Sequence, residues 1–590
     1  MTCEQPIAED AQASPNLVRF PNVEVPVSGS VSSMPFHEMS LPKGYFADEN
    51  GLHYFDDDEN GDVHPEWLCS PIEVVGSCRR ADGKGWGRVV EVVDGDGRRH
   101  RVIIEASALN GTIPALLRPL HDAGLQVSSG VSAKQLVAEF LRSRPPEPKF
   151  LRVSRTGWLD GDFDTFVMAD GSTIGRKAAI LENSTGNIGT AIAVAGSVEE
   201  WRDTVAAHCV GNPLMLLAVS QAFAGPLLAP LGFEGGGFHL RGLTSRGKST
   251  LLRVALSVWG SPVHIPGWRA TDNGLEQLAS RANDGLLALD EMHEVSPQIV
   301  GEAVYMLANG RGKQRMNTSG KSGSAESWKV ALLSSGEISL ADHMASGGKK
   351  IQAGQDIRLI DIDAAGRAFG AFDDLHEESE ASRFADRVQE AAASHYGHVG
   401  RQFVERLIEN AQNYDPIRRM VERTVQRFVD QSGLAVDGQV RRALRRFALA
   451  AAAGEVATHF DLTGWQRGEA SEGVLLVANE WLHDREVDPK SDIDAALAQS
   501  RAYLSANLAR FNQRGEAAGQ DGWRDVSWFY ILPDAWVRMH GHNRAVDVAR
   551  LHRSAGLLRT DKGETLQFKM GRDTEGRPKV YAVSVRVLEQ

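Results

Sequence analysis

Residues 237–252, Gly-Phe-His-Leu-Arg-Gly-Leu-Thr-Ser-Arg-Gly-Lys-Ser-Thr-Leu-Leu, constrain this chain more than any other stretch. An apolar strand runs into Gly242-x4-Gly247-Lys248-Ser249, and an apolar helix follows. The glycines let backbone N–H groups turn inward around phosphate oxygens, and the helix N-terminus adds its partial positive charge. Lys248 is placed to reach the β- and γ-phosphates and Ser249 to ligate Mg²⁺. Gly242, Thr244, Gly247, Lys248, Ser249 and Thr250 are therefore the expected ATP-binding residues, with ATP and Mg²⁺ as the cofactors.

Two more apolar stretches extend the pattern. Gly285-Leu-Leu-Ala-Leu-Asp290-Glu291 reads as a buried parallel strand ending in two carboxylates. Asp290 is expected to hold the Mg²⁺ water shell, and Glu291 to act as general base on the attacking water. Trp328-Lys-Val-Ala-Leu-Leu-Ser334-Ser335 reads as a third strand. A polar residue at its tip could sense the γ-phosphate; Ser335 is the first choice and Ser334 the second.

Length and composition frame the rest. With 590 residues, 42% hydrophobic and 24% charged, the chain has room for several globular domains. No run approaches the roughly 18 consecutive apolar residues of a membrane helix, and no secretory signal is visible, so a cytoplasmic location is expected. The net charge of -13 argues against a surface that coats nucleic acid and leaves room for a local basic strip. Residues 45–66 hold eight acids and no Lys or Arg, whereas 311–330 hold five basic residues against one acid.

Along the chain, residues 1–40 read as a disordered tail. Residues 41–180 read as a β-rich domain, with strands at Ile72–Val75, Gly87–Val93, His100–Glu105, Phe150–Val153 and Thr165–Val167. One helix, Ala133–Ser143, interrupts them. Residues 181–370 alternate strand and helix as an α/β core. Residues 371–480 are helical, at Arg383–Ser394, Val399–Asn410, Ile417–Gln431 and Gln439–Thr458. Residues 481–590 mix helix with a closing strand pair. Here a helix at Ala545–Ser554 and a basic hairpin resemble a winged helix. Asp56-Asp-Asp58-Glu-Asn60-Gly61 imitates a calcium loop, but Trp67 stands where the bidentate Glu is needed and the flanks read as strands.

Marker stretches from Leu41 onward carry a family resemblance. They are Leu41-Pro-Lys-Gly-Tyr, Cys69-Ser-Pro-Ile-Glu-Val, Arg155-Thr-Gly-Trp158, Trp268-Arg-Ala-Thr-Asp-Asn-Gly-Leu-Glu276, Tyr305-Met-Leu-Ala-Asn-Gly-Arg-Gly-Lys313 and Gly354-Gln-Asp-Ile-Arg358-Leu. Together they resemble the helicases of phages, plasmids and staphylococcal cassette chromosomes, long catalogued as a domain of unknown function. The core of that family is similar to the AAA+ motors of the minichromosome maintenance helicases. The resemblance implies an AAA+ core with a helical lid at 371–480. It implies that Arg358 is an arginine finger reaching a neighbour's ATP, hence a ring, a homohexamer. It implies that Arg311, Lys313, Arg315 and Lys321 belong to a pore hairpin that follows a DNA single strand or fork. Within Gln439-Val-Arg441-Arg442-Ala-Leu-Arg445-Arg446 it points to a sensor 2 contact, Arg441 first and Arg442 next. The function implied is an ATP-dependent DNA helicase or translocase serving replication of a mobile element. Any primase or single-strand-binding partner would be a separate chain. The alternative is an AAA+ remodelling or regulatory ATPase that binds DNA without unwinding it.

Overall fold

The computed structural model describes residues 41–57, 63–143, 148–182, 194–244, 246–312, 326–349, 355, 357–410, 414–432, 438–541, 545–561, 566–571, 574 and 576–588. The chain forms two compact units, Met1–Ala478 and Asn479–Gln590.

In the first unit, β1 (Tyr45–Asp48), β2 (Gly51–Asp57) and β3 (Val63–Cys69) form an antiparallel sheet. Asp56 and Asp57 of the stretch that imitates a calcium loop end β2, and residues 58–61 lie outside the described residues. A five-stranded sheet follows, in the order β11-β7-β4-β5-β6. Its members are β4 (Ile72–Arg79), β5 (Gly87–Val93), β6 (Arg99–Glu105), β7 (Lys149–Val153) and β11 (Ala179–Leu181). β5, Gly-Arg-Val-Val-Glu-Val-Val, is buried at six consecutive positions because it has a neighbour on each edge and cover on both faces. Helices Ile113–Asp122 and Val131–Arg142 bury Leu116, Leu117, Leu120, Val137 and Leu141 into this core. The region is β-rich as read, with the helix Ile113–Asp122 additional to the reading. A small sheet of β8 (Gly157–Trp158), β9 (Thr165–Val167) and β10 (Thr173–Gly175) leads on.

The centre of the unit is a parallel sheet in the order β13-β14-β12-β15. Its strands are β12 (Gly236–Arg241), β13 (Gly285–Leu289), β14 (Val330–Gly336) and β15 (Leu359–Asp363). Parallel strands covered on both faces carry near-continuous apolar runs. Gly-Leu-Leu-Ala-Leu and Val-Ala-Leu-Leu-Ser-Ser-Gly are such runs. Helix Pro213–Ala224 is buried along its whole length and its Gln221 Nε2 donates to the Gly236 and Leu332 carbonyls, each at 3.3 Å. The stretch Pro213–Leu231 is long and apolar enough to cross a membrane, yet 94% of it is buried inside the protein. Its place is the core of the unit.

Four amphipathic helices follow: Ala381–Ser394, His398–Glu409, Asp415–Ser432 and Gly438–His459. Three aromatic contacts seat them, Phe384 on Phe372, Phe403 on Phe223 and Phe447 on Phe238. Helix Glu469–Ala506 contains the boundary between the units.

The second unit holds a sheet in the order β16-β17-β18-β21-β19, with β20 also on β21. Its strands are β16 (Phe511–Gln513), β17 (Gly522–Arg524), β18 (Trp528–Ile531), β19 (Leu558–Arg559), β20 (Phe568–Lys569) and β21 (Lys579–Ser584). The closing strand pair read from the sequence is thus part of a larger sheet. Helices Pro533–His540 and Ala545–Ser554 pack on it through Trp536, Met539, Val548 and Ala549.

Candidate active site

β12 ends at Arg241 and the chain turns through residues 242–247 into helix Lys248–Ser257. The turn needs glycine at both ends. Gly242 has φ 157° and Gly247, the helix N-cap, has φ 94°. A Cβ on Gly247 would stand 2.8 Å from the Phe372 ring. Lys248 is buried and its Nζ donates to the Gly242 and Leu243 carbonyls, at 2.6 and 2.8 Å. Burial holds its ammonium below the usual lysine range, while Glu291, Glu337 and Asp290 favour its charge.

Three strand ends meet beside this loop. β14 lies between β12 and β13, with Leu240 opposite Ser335 and Leu289 opposite Ser334. Asp290, just past β13, accepts from Ser249 Oγ on Oδ2 (3.0 Å) and from Ser335 Oγ on Oδ1. Its Oδ1 also accepts from the Glu291 backbone N–H at 3.1 Å. The residue expected as metal ligand, its serine partner and the first-choice sensor are thus one hydrogen-bonded group. Its oxygens are hard donors of the kind Mg²⁺ takes. Glu291 adopts φ 59°, a left-handed conformation costly for a non-glycine, and its Oε2 lies 3.1 Å from His293 Nδ1. Thr244 Oγ1 donates to Glu337 Oε1, and Thr250 Oγ1 accepts from Gln389 Nε2 at 3.1 Å.

Ser334 points to the opposite face of β14, as strand geometry requires of a neighbour. Its Oγ accepts from Trp268 Nε1 (2.8 Å) and lies 2.9 Å from His239 Nδ1. His239 Nε2 lies 3.0 Å from the Ile338 carbonyl, which can only accept. The proton order follows: Trp268 N–H to Ser334, Ser334 O–H to Nδ1, Nε2–H to Ile338. His239 is fully buried, and burial lowers its imidazole pKa to about 4, so it stays neutral. Neither His239 nor Trp268 carries a sequence signal for this duty, since a lone polar residue in an apolar strand fixes no partner.

Other expected residues lie elsewhere. Arg358 precedes β15, where Leu359 pairs with Gly237 and the Arg358 carbonyl accepts from the Gly237 N–H at 2.9 Å. It therefore stands at the start of the sheet, about 17 Å of strand away from its own chain's nucleotide loop. There its guanidinium lies 4.7 Å over the Tyr305 ring. Arg358, Arg442, Arg445 and Arg446 line one cavity of about 250 Å³ with Phe233 and Glu234. Arg446 Nε donates to the Ile357 carbonyl at 2.9 Å, and burial lowers its pKa to about 10. Arg442, Arg445 and Arg446 lie on one side of helix Gly438–His459. Positions i, i+3 and i+4 share a helix face, so 442, 445 and 446 line up. Arg441 is exposed and is not among the residues lining that cavity. Arg311 forms an antiparallel bridge with Ser327, while Lys313, Arg315 and Lys321 lie outside the described residues.

Comparison with known proteins bears out the resemblance carried by the marker stretches. Residues 45–327 match the model of a family described as Domain of unknown function (DUF927). No curated protein sequence matches the chain. A solved structure named SCCmec type IV Cch, an active helicase, is similar in fold, with a TM-score of 0.64 and 17% identity. The similarity covers 93% of this chain and 99% of that one.

Proposed function

We propose, for a chain that carries the DUF927 domain of the mobile-element helicases at residues 45–327, that it is an ATP-dependent DNA helicase or translocase with an AAA+ core. One observation carries the reading: Ser249 and Ser335 hold the two oxygens of Asp290 at the foot of a glycine loop whose Lys248 is buried. A strand-tip group of this kind suits phosphoryl transfer, where catalysis is mostly positioning and charge stabilisation. Ser249 and Asp290 would hold Mg²⁺, which neutralises charge between the β- and γ-phosphates when bound with ATP. Lys248 would exchange its contacts with the Gly242 and Leu243 carbonyls for phosphate oxygens. Glu291, beside Asp290, would take the proton of the water that attacks the γ-phosphorus, with ADP as leaving group. Ser335 would report the presence of that phosphate to β14.

The position of Arg358 supports a site shared between copies. It lies at the end of the sheet away from its own loop, a position that suits the loop of a neighbouring copy. Arg442 and Arg445, lining the same cavity, would act from that side too, which replaces Arg441 as the sensor 2 candidate. Repetition of such a head-to-tail contact closes a ring, read here as a hexamer. Helices 371–480 would form the lid, the segment around Arg311 the DNA-tracking hairpin, and the second unit a winged-helix-like domain.

The test is strand displacement on forked DNA with ATP, alongside Lys248→Ala and Glu291→Gln. Unwinding by the native chain and none by either variant supports the reading. ATP turnover with DNA binding and no displacement would favour the remodelling ATPase.

A further inference from the structure

The Arg155-Thr156-Gly157-Trp158 stretch lies far in sequence from the nucleotide loop, and its contacts give it a separate role. It leaves the N-terminal sheets after β7 and runs across the starts of β13 and β14. Arg155 donates from one guanidinium nitrogen to both the Ser327 carbonyl (2.9 Å) and Ser327 Oγ (3.0 Å). Thr156 Oγ1 donates to the Arg281 carbonyl at 2.8 Å. Asn283 Nδ2 donates to the Thr156 carbonyl (2.7 Å), and the Trp158 N–H donates to Asp284 Oδ2 (3.1 Å). Trp158 Nε1 donates to the Pro226 carbonyl at 2.8 Å. Gly157, at φ 90°, passes so close that a Cβ would stand 2.5 Å from both Asn283 Nδ2 and Asp284 Oδ2.

The partners are not scattered. Ser327 is bridged to Arg311, and the Gly312 N–H donates to the Glu326 carbonyl at 2.9 Å, so the two chain ends that flank the basic segment in sequence are paired here. Asn283 and Asp284 immediately precede β13, and Asp290 immediately follows it. Asn283 also ties the two strands, accepting from the Lys329 N–H at 2.8 Å through Oδ1. β13 and β14 then run paired from Gly285 and Val330 to Leu289 and Ser334. Buried paired strands are close-packed and do not stretch, so a displacement at their starts is carried to their ends. The ends hold Asp290 and Ser335.

We propose that this strap is a mechanical coupling between the root of the basic segment and the ATP site, with Arg155 as its positioning residue. Engagement of DNA beside Arg311 shifts Ser327; Arg155 and Asn283 make β13 and β14 move with it. The strap also joins the N-terminal sheets to the same point. The inference rests on the proposed function, and its test separates the two.

ATP turnover with and without single-stranded DNA, DNA affinity and melting temperature are measured for the native chain, Arg155→Ala and Arg155→Lys. Arg155→Ala should keep basal turnover, DNA affinity and melting temperature, and lose about ten-fold in DNA stimulation. Arg155→Lys, which restores one donor to Ser327, should recover part of it. Full stimulation in Arg155→Ala overturns the coupling. So does loss of basal turnover in the same proportion, or loss of stimulation explained by weaker DNA binding. A native chain that hydrolyses ATP with no response to DNA overturns the translocase reading itself, and the coupling with it.

Discussion

Ser334 and Ser335, neighbours on β14, take different partners on its two faces. Ser335 Oγ donates to Asp290, whereas Ser334 Oγ, one residue earlier, completes the chain from Trp268 to His239. Ser335→Ala should lower kcat about ten-fold or more with little change in KM, read by steady-state ATP turnover. Ser334→Ala orphans His239 Nδ1 and Trp268 Nε1, so it should cost about 1–3 kcal/mol of stability, read by denaturant unfolding. The apolar run ending in Ser-Ser marks a strand tip beside Asp290, but Ser-Ser is locally symmetric, so only the register against β12 and β13 decides which serine faces Asp290. The arginines illustrate the opposite difficulty. Four in six residues are legible as a cluster, but which three share the cavity depends on the rotation of helix Gly438–His459 against the sheet, and that comes from Phe447 on Phe238. His239 adds a pH signature. Its pKa in the fold is about 4 against an ordinary 6.5, so between those values the unfolded chain takes up a proton that the fold refuses. Its contribution to stability is full above pH 6.5 and is lost as pH falls toward 4. In His239→Gln the slope of unfolding free energy over that window should be smaller.

Among the elements, the parallel sheet leaves no room between strands. A Cβ on Gly237 would stand 1.7 Å from the Leu332 carbonyl oxygen of β14. Gly237→Ala should therefore push β12 from β14 and destabilise the unit by about 3 kcal/mol, with a lower melting temperature and weaker nucleotide binding. The amphipathic helices Ala381–Ser394 and His398–Glu409 were legible because their apolar residues recur at helical spacing. Helix Ile113–Asp122 was not, because Pro119 stands inside it and proline weakens a local helix pattern. Burial of Leu116, Leu117 and Leu120 under the N-terminal sheet holds it together. The parallel pairing of β7 with β4 was equally hidden, since partners some seventy residues apart leave no mark in either strand alone.

For the whole molecule, the net charge of -13 conceals a strongly cationic site. Arg358, Arg442, Arg445 and Arg446 line one cavity with a single carboxylate, Glu234, among its described lining residues. Such crowding is unfavourable in an isolated chain and is relieved when an anion arrives. If that anion is the nucleotide of a neighbouring copy, as proposed above, neither the glycine loop nor the arginine group is a complete site. Mixing two inactive variants tests this most directly. Lys248→Ala lacks a working loop but keeps Arg358, and Arg358→Ala keeps its loop. Each alone should show no ATP turnover. Mixed, they should regain turnover, because some contacts join an intact loop to an intact Arg358. Co-assembly of the two variants with no recovery of turnover, or full activity of Arg358→Ala by itself, would contradict the shared site.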